Sequence, residues 1–308
     1  MKPVSRREFL EAVAGLGAAL FIGGCSKNGQ AGPKGSVPRM PKVSVDGLFV
    51  ASGRGPAKNT RAAIEAMGGM GKFVKKGDFV VIKPNIAWNR PPDAAATTNP
   101  EVVSELVRLC KSAGASKVLV LDHVIDRPAE VVLGFTGIKD AVEKAGGEVK
   151  AAQQESDYRT IEIPKGKLLK SDTLVRDILE ADVFINVPIA KTHSATRLTL
   201  GLKNLMGCNW DRQSWHQSAS LEQCIADYAT AVRADLTVLD ATRILLTNGP
   251  KGPGRTKDVD KVIVGTDPVA VDAYGAALFG LQPKEVSHIL IAAQMGLGSL
   301  NPSVVKTV

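Results

Sequence analysis

The chain has 308 residues, of which 44% are hydrophobic, and a formal net charge of +8. This length fits one large α/β domain or two smaller ones, and the apolar content excludes disorder over most of the chain. The excess of positive charge favours anionic partners, but the chain has no run of five basic residues and no zinc-finger spacing, so nucleic acid is not expected as a partner.

The first 25 residues have the composition of an export signal. Arg6 and Arg7 precede an apolar stretch at 12–22 that is too short to span a bilayer. A basic start followed by a short apolar segment and small residues is typical of secretion, and the paired arginines resemble the twin-arginine type. The residues that end at Cys25 resemble a bacterial lipoprotein box; an ordinary cleaved signal with an incidental cysteine is the alternative. We therefore predict a signal at residues 1–25 and an exported protein on the periplasmic side, anchored to the membrane by lipid on Cys25.

Residues 26–41 are polar and rich in Gly and Pro, which predicts a flexible tether, and residues 42–308 are predicted to form an α/β domain. The predicted strands are 43–53, 78–85, 117–123, 182–188, 235–242 and 260–267. The predicted helices are 59–70, 98–114, 137–145, 171–180, 221–234, 267–280 and 284–296. Unbroken apolar strands that alternate with helices predict a mainly parallel sheet with helices on both faces. Two Rossmann-like halves that divide near residues 150–170 are an alternative.

Five of the predicted strands end in polar residues. The carboxyl ends of parallel strands line the ligand crevice of an open sheet, so we expect a binding site there. The predicted ligand- or cofactor-binding residues are Lys83, Asn85, Thr192, Asn204, Asp240, Gly249 and Asp267. Asp240 and Asp267 have an alternative role as helix N-caps. Gly249 belongs to the Gly/Pro-rich loop 248–255, whose backbone N–H groups could hold an anion or which could be a plain surface loop.

The segment from residue 186 to 207 collects several hydrogen-bond donors after a buried strand. It contains Lys191, His193, Lys203 and Asn204. Positive groups gathered in a low-dielectric volume repel one another and need a compensating anion. We predict that an anionic ligand supplies this charge, with Lys191, His193 and Lys203 as catalytic candidates. The alternative is a structural ion-pair network. Its candidate counter-ions are Asp122, Asp240 and Asp272.

The four histidines have different expected roles. We predict that His193 transfers a proton, because its polar surroundings should let it titrate near neutrality. His123 is the second candidate, His216 is expected on a loop over the crevice, and His288 is expected to be a hydrogen-bonded core residue. The histidine spacing matches no compact metal signature, so no metal ligands are predicted. A site built from His123, His193 and an aspartate is the alternative.

The cysteines are few. If Cys25 carries lipid, three remain, of which Cys110 lies in an apolar helical pattern and is expected in the core. Cys208 and Cys224 could form a disulfide in an oxidising compartment. No C-x-x-C pair is present, which argues against an iron–sulfur cluster in this chain. Cys208 follows Lys203 closely and is the thiol nearest in sequence to the candidate site.

Five segments form a recognisable set in their order along the chain: 81–85, 187–207, 235–254, 265–280 and 288–298. Together they resemble the bacterial and archaeal family called domain of unknown function 362. The resemblance covers roughly Lys83 to Gly298. Some relatives carry a ferredoxin-like module, for which this chain has no cysteines, and the family usually has a second lysine before the K-T-H triplet, where this chain has Ile189 and Ala190. The family is distantly similar to lactate racemase-like proteins, a likeness that concerns the fold.

These patterns predict an enzyme that acts on an anionic small molecule or uses an anionic or metal cofactor at the carboxyl edge of the sheet. The alternative is a non-catalytic accessory lipoprotein that binds a metal or ligand and serves a redox partner protein. The expected partners are a small anionic ligand and, through Cys25, a membrane. The identity of any cofactor does not follow from the sequence.

Overall fold

The computed structural model of the protein describes residues 38–302 and 304–308. The signal residues Arg6 and Arg7 and the predicted lipidation site Cys25 lie outside the described residues. Arg39, which the sequence assigns to the tether, is buried and forms an ion pair of 2.5 Å with Asp235. The folded part of the chain therefore includes residues before position 42.

Strands and helices alternate along most of the described chain. The strands are β1 Leu48–Ser52, β2 Phe79–Pro84, β3 Lys117–Asp122, β4 Glu148–Ala151, β5 Tyr158–Glu162, β6 Ser171–Val175, β7 Val183–Val187, β8 Ile189–His193, β9 Arg197–Thr199, β10 Leu236–Leu245, β11 Thr256–Gly265 and β12 Val305–Thr307. The helices are α1 Pro56–Ala66, α2 Pro100–Ser112, α3 Ala129–Phe135, α4 Ile138–Lys144, α5 Arg176–Glu180, α6 Gly201–Asn204, α7 Arg212–His216, α8 Leu221–Ala231, α9 Pro268–Ala277 and α10 Ser287–Gln294.

The main sheet has the strand order β12-β1-β11-β10-β7-β2-β3-β4, with β8 paired to β10 and β9. The neighbours from β4 to β10 are parallel, whereas β11 is antiparallel to both β10 and β1. A loop without a crossover helix joins β10 to β11, and such a short connection produces an antiparallel pair. The predicted α/β class with a mainly parallel sheet is confirmed.

Helices cover both faces of the sheet. Residues of β2 show the alternation. Val80 and Ile82 belong to the apolar cluster that includes residues of α1, α2 and α4, whereas Val81 belongs to the other cluster, which includes residues of α8, α9 and α10. A strand that is covered on both faces has no polar side, which explains the unbroken apolar runs in the sequence. The predicted helix cap before α2 is confirmed, because Asn99 accepts a 2.9 Å hydrogen bond from the Glu101 N–H.

One predicted helix is wrong. Residues 171–175 form the strand β6, which pairs antiparallel with β5 in a separate two-stranded sheet, and only Arg176–Glu180 are helical. The pairing with β5 overrides the local helical pattern. The polar segment near residues 150–170 thus leads into this small sheet, and the described residues fall within one compact unit. Among the described helices, none is long and apolar enough to cross a membrane.

Candidate functional site

A cavity of about 1040 Å³ opens at the carboxyl ends of β2, β3 and β8. The chain turns at Pro188 after β7, continues as β8, and returns through the β8–β9 hairpin to the short helix α6. This path brings the ends of β2 and β8 next to α6 and α7. The polar residues on the cavity wall include Lys83, Asn85, Asp122, His123, Lys191, His193, Thr199, Lys203, Asn204, Arg212 and His216.

Lys83 is the fully paired cation of the cavity. Its Nζ lies 2.8 Å from Asp122 Oδ1, and it donates to the Pro84 carbonyl at 2.7 Å and to Asn204 Oδ1 at 3.2 Å. These three acceptors use all the N–H groups of an ammonium. Asp122 also accepts from the backbone N–H groups of Ile86 and His123. The charge of Lys83 is therefore compensated within the protein, as the internal counter-ion alternative predicts for Asp122.

Lys191 has oxygen partners but no paired carboxylate among the described residues. Its Nζ donates to the Ala96 carbonyl at 2.5 Å and to Asn85 Oδ1 at 3.1 Å. Burial lowers the pKa of Lys191 to about 7; Asp122 opposes this shift, and Lys203 and Lys83 add to it. The amine of Lys191 consequently changes its charge near neutral pH.

Lys203 has the fewest hydrogen-bond partners of the three lysines. Within the described part of the chain, its Nζ has one hydrogen-bond partner, Met206 Sδ at 2.8 Å, and a thioether is a weak acceptor. Burial lowers the pKa of Lys203 to about 7, and the positive charge of Arg212 contributes. Asp272 holds the start of α6 in place by accepting from the N–H groups of Gly201 at 2.6 Å and Leu202 at 2.9 Å.

A chain of amides orients the lysines. Asn85 Nδ2 donates to Asn204 Oδ1 at 3.0 Å, and Asn204 Nδ2 donates to Asn186 Oδ1 at 2.8 Å. Asn186 Nδ2 in turn donates to the Gly201 carbonyl at 2.9 Å, which ties β7 to α6. The sequence reasoning missed Asn186. The sequence did contain an indication of its role. Asn186 is a single amide inside an otherwise apolar strand, and a buried polar side chain needs a hydrogen-bond partner.

His193 and His123 are both neutral at physiological pH. His193 Nδ1 accepts a hydrogen bond of 3.1 Å from the Ala195 N–H, so the neutral ring carries its hydrogen on Nε2. Burial, Lys203 and Lys191 lower the pKa of His193 to about 3. Burial, with a contribution from Arg212, lowers the pKa of His123 to about 4. The expectation that His193 titrates near neutrality is therefore wrong, because burial and, after it, the neighbouring cations disfavour the charged ring.

The other two histidines lie at different depths. His216 is on α7 and lines the cavity, so it is helical rather than part of a loop. His288 is fully buried, and both of its ring nitrogens lack a hydrogen-bond partner among the described residues. It is a core residue, but it is not hydrogen-bonded as expected. In the described region, no group of three His, Cys, Asp or Glu residues could hold a metal ion, so the alternative site with His123, His193 and an aspartate is not assembled.

Thr192 and Gly249 contact each other beside the cavity. The Gly249 N–H donates to Thr192 Oγ1 at 3.2 Å, and a Cβ atom at Gly249 would overlap the Thr192 carbonyl. Neither residue lines the cavity, although the next residue, Pro250, does. The loop is also held by Lys251, whose Nζ lies 2.9 Å from Asp126 Oδ1.

Asp240 and Asp267 do not reach the cavity. Asp240 is buried in the middle of β10, where it accepts from the Asn99 N–H at 2.7 Å and from Thr242. Asp267 caps α9 by accepting from the Ala270 N–H at 2.8 Å. Two features explain the difference: β10 continues beyond Asp240, and β11 is antiparallel, so its carboxyl end lies at the opposite edge of the sheet.

Several cavity residues were absent from the sequence prediction. The most important is Arg212, which donates to the His123 carbonyl at 3.1 Å and has no carboxylate partner within salt-bridge distance in the described part of the chain. Trp210 stacks on His123 with ring centroids 5.4 Å apart, and Thr199 Oγ1 is buried without a hydrogen-bond partner. The polar and aromatic run at 209–216 is the feature of the sequence that could have indicated this side of the cavity.

Cys208 and Cys224 do not form the disulfide that the sequence allowed as a possibility. Cys110, Cys208 and Cys224 are buried free thiols. Burial raises the pKa of Cys208 to about 12, which keeps it protonated and makes it a poor nucleophile despite its position near the cavity.

Comparisons with known proteins identify the family. The model of Domain of unknown function (DUF362) matches residues 80–277. Thylakoid-associated protein sll1697 from Synechocystis sp. (strain ATCC 27184 / PCC 6803 / Kazusa) is 31% identical over 256 residues, which are 79% of this chain and 75% of the relative. The lactate racemase apoprotein from Thermoanaerobacterium thermosaccharolyticum superimposes with a TM-score of 0.47 and 14% identity, over 79% of this chain and 61% of that chain. The chain belongs to the DUF362 family.

Proposed function

We propose that the protein is an enzyme that binds an anionic small molecule in this cavity and transfers a proton to or from it. The observation that carries the proposal is an imbalance of charge. Lys191, Lys203 and Arg212 line the cavity, and no carboxylate of the described residues lies within salt-bridge distance of them. Asp122 is paired with Lys83, and Glu155 and Asp211, which also line the cavity, form no ion pair with these three cations.

An anion would correct this imbalance. Charges interact more strongly in a partly enclosed site than in water, so a carboxylate or phosphate near the three unpaired cations would be stabilised. The same donors fit an anionic cofactor, which Lys191, Lys203 and Arg212 would hold. They suit a bare metal cation poorly, because ammonium and guanidinium groups repel it and a protonated amine has no lone pair to offer.

Proton transfer would depend on the lysines rather than on His193. A general acid or base works best when its pKa lies near the working pH, and the pKa of both Lys191 and Lys203 is about 7. His193 stays neutral and would act as a hydrogen-bond donor through Nε2. The amide chain of Asn85 and Asn204 would orient the bound molecule.

Isothermal titration calorimetry with pyruvate and with inorganic phosphate tests the proposal. The affinity should fall about tenfold or more in Lys203→Met, whereas Lys139→Met, which changes an exposed lysine paired with Glu130, should bind like the wild type. The affinity should also fall as the pH rises through about 7, because the ammonium charges are lost. Absence of binding, or equal binding by both variants, would contradict the proposal.

The accessory-protein alternative is separated by Lys191→Arg, which keeps a positive charge but cannot exchange a proton near neutral pH. An enzyme should lose turnover of the identified ligand while calorimetric binding persists, whereas a purely ligand-binding protein should return the ligand unchanged in wild type and variant alike. The export and lipid anchor remain part of the proposal, supported by the pattern of residues 1–25. They predict that Cys25→Ala releases the protein from the membrane fraction.

A further inference from the structure

The three lysines of the cavity differ in their oxygen partners. Lys83 has three oxygen acceptors, Lys191 has two, and Lys203 has none among the described residues. Each acceptor holds the ammonium form in place and occupies an N–H group. All three N–H groups of Lys83 are thus occupied, whereas the nitrogen of Lys203 has no oxygen partner among the described residues and is free to react.

The surroundings of Lys203 favour an unprotonated amine. The residue is 7% exposed, and its one hydrogen-bond partner in the described part of the chain is the sulfur of Met206. Burial and the neighbouring guanidinium of Arg212 both lower the pKa of Lys203, and the charge of Glu222 opposes them only in part, so that the pKa is about 7. A lysine becomes a nucleophile under these conditions, in a desolvated site beside another cation.

The cavity also offers groups for a carbonyl compound that carries an acid. Arg212 uses one of its N–H groups on the His123 carbonyl, and Lys191 has one N–H without a described partner. Both lie near Lys203: the charge of Arg212 lowers the pKa of Lys203, and the charge of Lys203 lowers the pKa of Lys191. Thr199 Oγ1, buried and unpartnered, lines the same cavity.

We infer that Lys203 forms an imine with a small oxo acid, whose carboxylate is held by Arg212 and Lys191. The neutral amine attacks the carbonyl carbon, a C–N bond forms, and a proton moves from nitrogen to the oxygen. The resulting carbinolamine loses its hydroxyl and the remaining N–H hydrogen as water, which leaves the C=N bond. No oxidant or reductant is needed. This inference rests on the proposed function and adds the class of substrate and the reacting atom.

Reductive trapping tests the inference. The purified full-length chain is incubated with pyruvate and sodium cyanoborohydride near neutral pH, and the product is analysed by intact mass and peptide mapping. Hydride delivered to the imine carbon makes the adduct permanent. We expect one principal adduct, on Lys203, with a yield that saturates with pyruvate. Acetone, which has the same carbonyl without the carboxylate, should give about tenfold less or lower.

Two variants and one control sharpen the assignment. Lys203→Arg keeps the charge, and Lys203→Met keeps the length of the side chain; both should lose the adduct. Lys139→Arg should retain it. The mapping of the wild-type adduct does not depend on the folding of any variant.

The outcomes separate this inference from the proposed function. Calorimetric binding of pyruvate without an adduct, or an adduct spread over surface lysines or located on Lys191, overturns the imine at Lys203 and leaves the anion site standing. Neither binding nor adduct overturns both.

Discussion

Lys83 and Lys203 are both buried lysines on one cavity, but they differ in the partners of their side-chain nitrogens. Lys83 compensates the charge of Asp122, whose side chain is 2% exposed. Lys203 has no carboxylate within salt-bridge distance among the described residues. Because both residues are lysines, the sequence could predict that both lie at the site. It could not show which of them has a structural role.

Replacement of each lysine by methionine should reveal the difference. Lys83→Met leaves Asp122 buried and unpaired, so the free energy of unfolding should fall by about 3–5 kcal/mol. Lys203→Met removes a buried amine that has no counter-ion for its charged form, so the change should stay within about 1 kcal/mol or be stabilising. Urea denaturation near neutral pH measures both values. Equal large losses would indicate that the whole cationic cluster is a structural network.

Two buried aspartates hold the starts of helices, and only one of these helices carries the site. Asp272 accepts from the first N–H groups of α6, which bears Lys203 and Asn204. Asp240 accepts from the N–H of Asn99, just before α2. Both carboxylates are fully buried, and they therefore provide a matched pair.

Asp272→Ala should weaken both folding and anion binding. The N–H groups of Gly201 and Leu202 would lose their acceptor, at a cost of about 2 kcal/mol or more, and α6 would no longer hold Lys203 in position. Denaturation and calorimetry with inorganic phosphate measure the two effects.

Asp240→Ala is the control for this prediction. It should lower the free energy of unfolding by a similar amount while the affinity for phosphate stays the same, since Asp240 does not line the cavity. A loss of affinity in Asp240→Ala would restore this residue to the ligand site that the sequence predicts.

The whole molecule should lose stability in mild acid because it keeps three histidines neutral. The pKa is about 4 for His123 and about 3 for His193 and His288, whereas it is near 6.5 in an unfolded chain. Between these values the unfolded state binds more protons than the native state, so the free energy of unfolding falls as the pH drops below about 6.5. Burial raises the pKa of Asp272 to about 7, which acts in the opposite direction over part of this window.

A comparison with His288→Leu isolates the histidine contribution. His288 is fully buried without hydrogen-bond partners among the described residues, so the variant should be at least as stable as the wild type near pH 7. It should also lose less stability than the wild type when the pH is lowered to about 5. Guanidinium denaturation at the two pH values provides the measurement. Parallel losses in both proteins would show that His288 is not held neutral.

The sequence by itself determined the fold class, the positions of most strands and helices, and the residues Lys83, Asn85, Lys191, His193, Lys203 and Asn204 that lie on the cavity. These features depend on local patterns: apolar periodicity, caps, and polar residues directly after apolar runs.

Only the tertiary structure decided which strand ends meet and which charges are compensated. The antiparallel pairing of β11 moved Asp267 to the far edge of the sheet, and the pairing of β6 with β5 replaced a predicted helix. Burial and neighbouring cations made His193 neutral and shifted the pKa of Lys191 and Lys203 to about 7. Strand pairing and desolvation arise from residues that are distant in sequence, and local patterns carry no information about them.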